Sequence, residues 1–186
     1  MNILVSRKKD EKIYFRPDTT INRENKDIYI ADNISELYYS PVLFAKITKA
    51  GKYINPKYIS RYIENFSFGI LIYEGEGIVN EDYACSSCLD YSSILSATVY
   101  ERENQDNIFS ISLSDKIIFS YSFDNIDELE TAICNASKYT SLRIGDMVAL
   151  ELQLPSSFIK RDNSLEESSV KVFSNKDSII DFKIIY

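Results

Sequence analysis

The sequence predicts an α+β protein that is mostly β, on three observations. Short apolar runs at residues 3–5, 13–15, 28–30, 42–47, 66–73, 170–173 and 179–185 are each fenced by polar or turn residues, as strands are. Between Asn107 and Phe123, apolar Phe109, Ile111 and Leu113 and then Phe119, Tyr121 and Phe123 alternate with serines about a turn at residues 114–116. That is a hairpin with one apolar and one hydroxyl face. A clear helical period appears after Asp124 or Asn125, either of which can cap it: Ile126, Leu129, Ala132, Ile133 and Ala136 fall on one side, with Asp127, Glu128 and Glu130 near the positive end.

The run 42–47 is nearly unbroken, as a strand buried on both faces is, although periodicity alone leaves a short buried helix open. Pro41 has no amide hydrogen, so this strand should start there or lie at an edge at that point. Asn55-Pro56 is a capped helix start, and Ile59, Tyr62 and Ile63 at helical spacing carry a short helix to about Glu64. Gly69 inside the run 66–73 marks a place where a side chain would obstruct a neighbouring backbone. The glycines of Glu74-Gly75-Glu76-Gly77 read as a turn using positive φ. Residues 142–146 form a turn into a strand over 147–154, which Pro155 closes.

At 186 residues the chain is read as one domain. Its net charge of −7, with both signs interspersed, speaks against nucleic acid or an anionic membrane surface as partner. No window approaches the roughly 18 apolar residues of a membrane span, and the start lacks a signal-peptide core, so a cytoplasmic protein is expected. Histidine is absent, which removes Ser-His and Cys-His nucleophile pairs and imidazole metal ligands. The three cysteines, Cys85, Cys88 and Cys134, suit a reducing compartment. Cys85-Ser86-Ser87-Cys88 has redox or half-zinc spacing, but the tendency of free cysteines to be buried favours a structural role. Glu74, Glu76, Glu81 and Asp82 form the only dense carboxylate cluster; it matches no EF-hand and is read as a solvated acidic turn, with a cation as the weaker alternative.

The order of motifs then resembles the fumarylacetoacetate hydrolase family from Phe15 to Tyr186, leaving residues 1–14 as divergent N-terminal strands. Phe15-Arg16-Pro17-Asp18-Thr19 resembles the family's Lys-Pro-Asp-Ser, and Ile28-Tyr29-Ile30-Ala31-Asp32 its Phe-Tyr-Ile-Pro-Asp. Lys46-Ile47 to Gly51-Lys52 is similar to the strand after its metal site. Arg61-Tyr62, Gly69-Ile70, Leu89-Asp90, Leu142-Arg143-Ile144-Gly145-Asp146 and Asp181-Phe182-Lys183-Ile184 continue the match. The resemblance implies a β-roll of mixed sheets with about three short helices, usually dimeric, built around Mg²⁺ or Mn²⁺ held by a Glu-x-Glu pair and a later Asp.

At those three positions this chain has Ser40, Val42 and Leu71, and no acidic residue lies between Leu37 and Ile63. The family's catalytic Lys falls near Ser87, with Asp90 keeping the flanking pattern; its Arg-Asp falls at about Gly75-Glu76, and its Thr-Gly-Thr-Pro turn at Leu150-Glu151-Leu152-Gln153. A hard cation needs mostly anionic oxygen, so the metal is expected to be lost and no catalytic residue or metal ligand is assigned. Val42 and Leu71, if buried, would each contribute about 1.5–3 kcal/mol as core. The expectation is a catalytically silent protein acting by association, as a homodimer or as partner of an active relative. Two alternatives stay open: a hydrolase or decarboxylase of small oxo acids with a site rebuilt from Glu74, Glu76, Asp82 or Asp90, and a small-molecule binding module using Ser40, Ser87 and the tyrosines.

Overall fold

A computed structural model describes residues 1–102, 107–161 and 166–186. Its strands are β1 (Ile3–Ser6), β2 (Ile13–Arg16), β3 (Ile21–Asn22), β4 (Ile28–Tyr29), β5 (Glu36–Lys46), β6 (Asn65–Glu74), β7 (Ser93–Leu95), β8 (Tyr100–Glu101), β9 (Asn107–Leu113), β10 (Lys116–Phe123), β11 (Met147–Glu151), β12 (Ser156–Lys160), β13 (Glu167–Ser174) and β14 (Asp177–Ile185). The helices are α1 (Gly75–Val79), α2 (Tyr83–Ser86) and α3 (Asp127–Tyr139), with 3-10 turns at Asp18–Thr20 and Pro56–Arg61.

Nine strands form one mixed sheet in the order β2-β1-β11-β5-β6-β7-β3, with β12 added to β5 and β8 to β6. The second sheet runs β10-β9-β13-β14-β4. Two-residue alternation divides β5 and β6 between two cores. Leu43, Ala45, Phe66, Phe68 and Ile70 face the second sheet and α3. Phe68 stacks on Phe109 with ring centroids 4.2 Å apart, and Phe66 on Phe123 at 4.4 Å. Val42, Phe44, Leu71 and Tyr73 face the opposite way, into a smaller core with Ile3, Val5, Met147 and Ala149. The side chain of Arg16 on β2 reaches Ser93 on β7, so the large sheet is curled and its two ends approach across this smaller core. Burial on both faces explains why the sequence of β5 is apolar from Pro41 to Ala45.

Pro41 stands inside β5 rather than at its start. Strand β11 pairs with β5 up to Val42, and β12 takes over from Tyr39. Pro41 falls in the gap between these two neighbours, where its carbonyl accepts from Leu152 N–H at 2.9 Å. A residue's N–H and C=O point to the same side of a strand, so the missing hydrogen lies at this gap and no ladder bond is lost. Gly69 behaves as its position predicts: an added Cβ would sit 2.7 Å from the Ile94 carbonyl oxygen.

Three local expectations are corrected. The turn after Asn55 ends at Arg61, short of Glu64, although the Asn55 side chain does accept from Lys57 N–H at 3.0 Å. Residues 75–79 are helical, not a loop with positive φ; Gly75 is needed because a Cβ there would come 2.7 Å from the Glu36 carbonyl oxygen. Cys85 and Cys88 are exposed and only Cys134 is buried. Strand β12 and the short β3, β7 and β8 had no usable period in sequence, since two to five residues cannot display one.

Candidate functional site

The register of β5 on β6 sets Ser40 opposite Leu71 and Val42 opposite Gly69. Ser40, Val42 and Leu71 therefore stand together on the inner face of the curled sheet, and each is 0% exposed. The Ser40 hydroxyl donates to the Gln153 carbonyl at 2.8 Å, while Val42 and Leu71 pack with Phe44, Tyr73 and Ile78. A divalent cation at this place would find one hydroxyl already engaged and two hydrocarbon side chains. Such a donor set does not fit Mg²⁺ or Mn²⁺, which take carboxylate and carbonyl oxygens in a full shell.

Beside these residues is a polar cluster that the sequence reading missed. Glu151, the register partner of Val42, is 0% exposed. Its Oε1 accepts from the Tyr73 hydroxyl at 2.8 Å and the Tyr14 hydroxyl at 3.2 Å, and Oε2 accepts from Lys8 N–H at 3.0 Å. The two phenol oxygens are 2.7 Å apart. Burial is the largest cause pushing the Glu151 carboxyl above the ordinary carboxylate range, and it holds both phenols well above their usual value. A carboxyl stripped of water favours its neutral form, although these donors work in the other direction.

Arg16 completes the cluster at 1% exposure. Its Nε donates to Ser93 Oγ at 2.8 Å, and Nη2 to the Ile72 carbonyl at 2.8 Å and Ser92 Oγ at 2.7 Å. Its guanidinium lies over the Tyr73 ring, 4.9 Å from the centroid, and Nη1 is buried with no hydrogen-bond partner. The signals for both residues were present: Glu151 shares the parity of Met147 and Ala149 in an otherwise apolar strand, and Arg16 precedes a proline that fixes it extended. Neither signal says which face is inward until the sheet is assembled.

Helices α1 and α2 close one end of this inner face. Ile78 joins the core, and the Tyr83 ring lies 4.9 Å from that of Tyr14 and 4.1 Å from the Arg7 guanidinium carbon. The acidic residues of this segment are occupied locally. Glu74 caps α1 by accepting from Glu76 N–H at 2.7 Å and Gly77 N–H at 2.6 Å, and Asp82 caps α2 by accepting from Cys85 N–H at 3.2 Å. Glu81 pairs with Lys9, and the hydrogen bond from that lysine holds its carboxyl below the usual range. Glu76 and Asp90 are exposed. Ser87 is fully buried and donates to the Tyr83 carbonyl. Among the described residues no three carboxylate or thiol side chains converge as a metal site.

No family model and no curated protein matches the chain by sequence. Solved structures do match in shape. Over 99% of this chain and 78% of its own, a 5-carboxymethyl-2-hydroxymuconate delta-isomerase from Mycobacterium smegmatis aligns with a TM-score of 0.82 at 11% identity. A Yersinia pestis protein assigned to the fumarylacetoacetate hydrolase family gives 0.77 at 14% identity, covering 99% of this chain and 92% of that one. A fumarylpyruvate hydrolase from Pseudomonas aeruginosa, solved with Mn²⁺ and pyruvate, gives 0.76 at 10% identity over 100% and 89%. The order of motifs and the architecture agree, and the fold of this chain is that of the fumarylacetoacetate hydrolase family.

Proposed function

We propose that this chain is a catalytically silent protein of the fold, without a divalent metal, that acts by association. The observation that carries the proposal is the filled inner face: Val42 and Leu71 are hydrocarbon at 0% exposure, the Ser40 hydroxyl is engaged by the Gln153 carbonyl, and the Glu151 carboxyl is engaged by Tyr14, Tyr73 and the Lys8 N–H. Apolar groups there stabilise the fold, whereas three adjacent carboxylates without a cation would repel and pay desolvation.

Association is supported at a groove along the end of β5, from Phe44 to Thr48, with Val99 and Ile144 on its walls. Ile144 is 71% and Val99 60% exposed, and Lys46 and Glu64 bring both charge signs to the same groove, so the surface is suited to a second copy related by a two-fold axis. Light scattering after gel filtration should give twice the chain mass, and Ile144→Lys should halve it. A monomeric wild-type protein that captures an active relative would move the proposal from homodimer to heterodimer. Calorimetric titration with Mn²⁺ or Mg²⁺ should show no stoichiometric heat; a micromolar site, or turnover of acylpyruvates, would overturn catalytic silence.

A further inference from the structure

The two cysteines of Cys85-Ser86-Ser87-Cys88 are both exposed, although burial was expected of them. Their arrangement is specific. Ser86 and Ser87 between them are 0% exposed, and each donates its hydroxyl to a backbone carbonyl, Ser86 to Asp82 at 2.7 Å and Ser87 to Tyr83. The turn is thus pinned from inside, with the serines turned in and both sulfurs left toward solvent. Cys88 N–H donates to the Cys85 carbonyl at 3.1 Å. A four-residue turn closed in this way keeps its end Cα atoms under about 7 Å apart, which overlaps the span of about 4.4–6.8 Å that a disulfide bridges. The Cys88 Sγ now lies 2.7 Å from the Ala84 carbonyl oxygen, so closure on Cys85 requires it to leave that acceptor by rotation about its side-chain bond. Cys134 is excluded from such chemistry, being buried on α3.

We propose that Cys85 and Cys88 form a redox-active dithiol that closes to an intramolecular disulfide by exchange with a low-molecular-weight disulfide such as oxidised glutathione. The thiolate of one cysteine attacks a glutathione sulfur, forming a protein–glutathione bond and expelling one glutathione thiolate. The second cysteine, as thiolate, attacks the protein sulfur of that bond, forms the Cys85–Cys88 disulfide and expels the second glutathione thiolate. The two protons lost by the protein thiols are taken up by the two glutathiones, so one disulfide is reduced as one is made. The cross-link ties the exit of α2 to the helix that carries Tyr83, and so fixes the cap over the inner face.

The test incubates the full native chain with oxidised glutathione, then denatures it, alkylates it and measures intact mass. The expected product has lost two hydrogens and takes one alkyl group, at Cys134. Cys85→Ser and Cys88→Ser, each able to start the exchange but not finish it, should each instead retain one glutathionyl group. Three alkylated thiols in the wild-type protein, stable glutathionyl adducts on it, or disulfide-linked dimers in place of the internal bridge would overturn the proposal, as would the absence of an adduct from both serine variants.

Discussion

Tyr73 donates its hydroxyl to Glu151 over 2.8 Å inside a space that both side chains share with hydrocarbon. The two residues stand on β6 and β11, the strands flanking β5, so the bond spans β5 diagonally, from the register row of Tyr38 to that of Val42, and ties β6 to β11 on the inner face. A buried carboxylate is tolerable only when donors surround it, and removing one exposes the desolvation cost that the others do not cover.

Tyr73→Phe should therefore lower stability by about 1.5–3 kcal/mol, the usual size of a hydrogen bond to a charged group. Urea unfolding read by tyrosine fluorescence or circular dichroism measures the loss. Combined with Glu151→Gln, the same change should cost less than it does alone, because the charge that needed the donor is gone.

The pH dependence follows from the raised Glu151 pKa. In the unfolded chain this carboxyl titrates near the ordinary value of about 4.3. A folded value above that makes the native state hold its proton longer, so this group's favourable contribution is complete below the unfolded value and is lost as pH rises through the folded one. The stability of the wild-type protein relative to Glu151→Gln should accordingly fall across that window and then level off. A difference that stays flat, or rises with pH, would mean that the donors around Glu151 outweigh its burial.

Arg16 acts as a clasp between β2, β6 and β7. Arg16→Met leaves Ser92, Ser93 and the Ile72 carbonyl without their donor and should cost about 3 kcal/mol or more. Arg16→Lys should recover less than half of this, since one ammonium cannot reproduce a planar fork that donates in several directions. Chemical denaturation of the two variants side by side separates charge from geometry.

Leu71→Asp places a carboxyl at one of the three inner positions. With a hydrocarbon surround it should cost about 3 kcal/mol or more at neutral pH and less in mild acid, where the new carboxyl is neutral. A loss under about 0.5 kcal/mol, the range of ordinary surface substitutions, would mean that the inner face is open to water. Gly69→Ala, on the same strand, should cost about 1–3 kcal/mol because the obstructing atom is backbone and cannot turn away.

Much of the fold was legible in the sequence because its strands are long enough to show a period. The hairpin β9–β10 and the apolar side of α3 could be read from spacing alone, and β13 and β14 as two strands; for β5 the flanking Pro41 and Gly51 had to favour a strand over a short buried helix. Pro41 could be read as a strand start or a local edge; the second holds, and sequence could not choose because the edge is a junction between β11 and β12, more than a hundred residues away. Cys85 and Cys88 were expected inside because free cysteines usually are, yet Ser86 and Ser87 took the inward positions and bonded to backbone. Glu151 and Arg16 escaped for a related reason. Sequence shows that a charge occurs in a strand, but only curling of the sheet shows that Arg16 and Glu151 look into the same space.

The parallel register of Ile3 on Met147, continuing to Ser6 on Leu150, joins the opening residues to a strand made late in the chain. During synthesis β1 can pair with β2 early, but its other edge stays open until β11 has emerged, and closing so long a loop makes assembly slow. Until then β1, β5 and their neighbours offer bare strand edges to other chains, so expression yield should respond more strongly to chaperone supply than the stability of the finished protein would indicate.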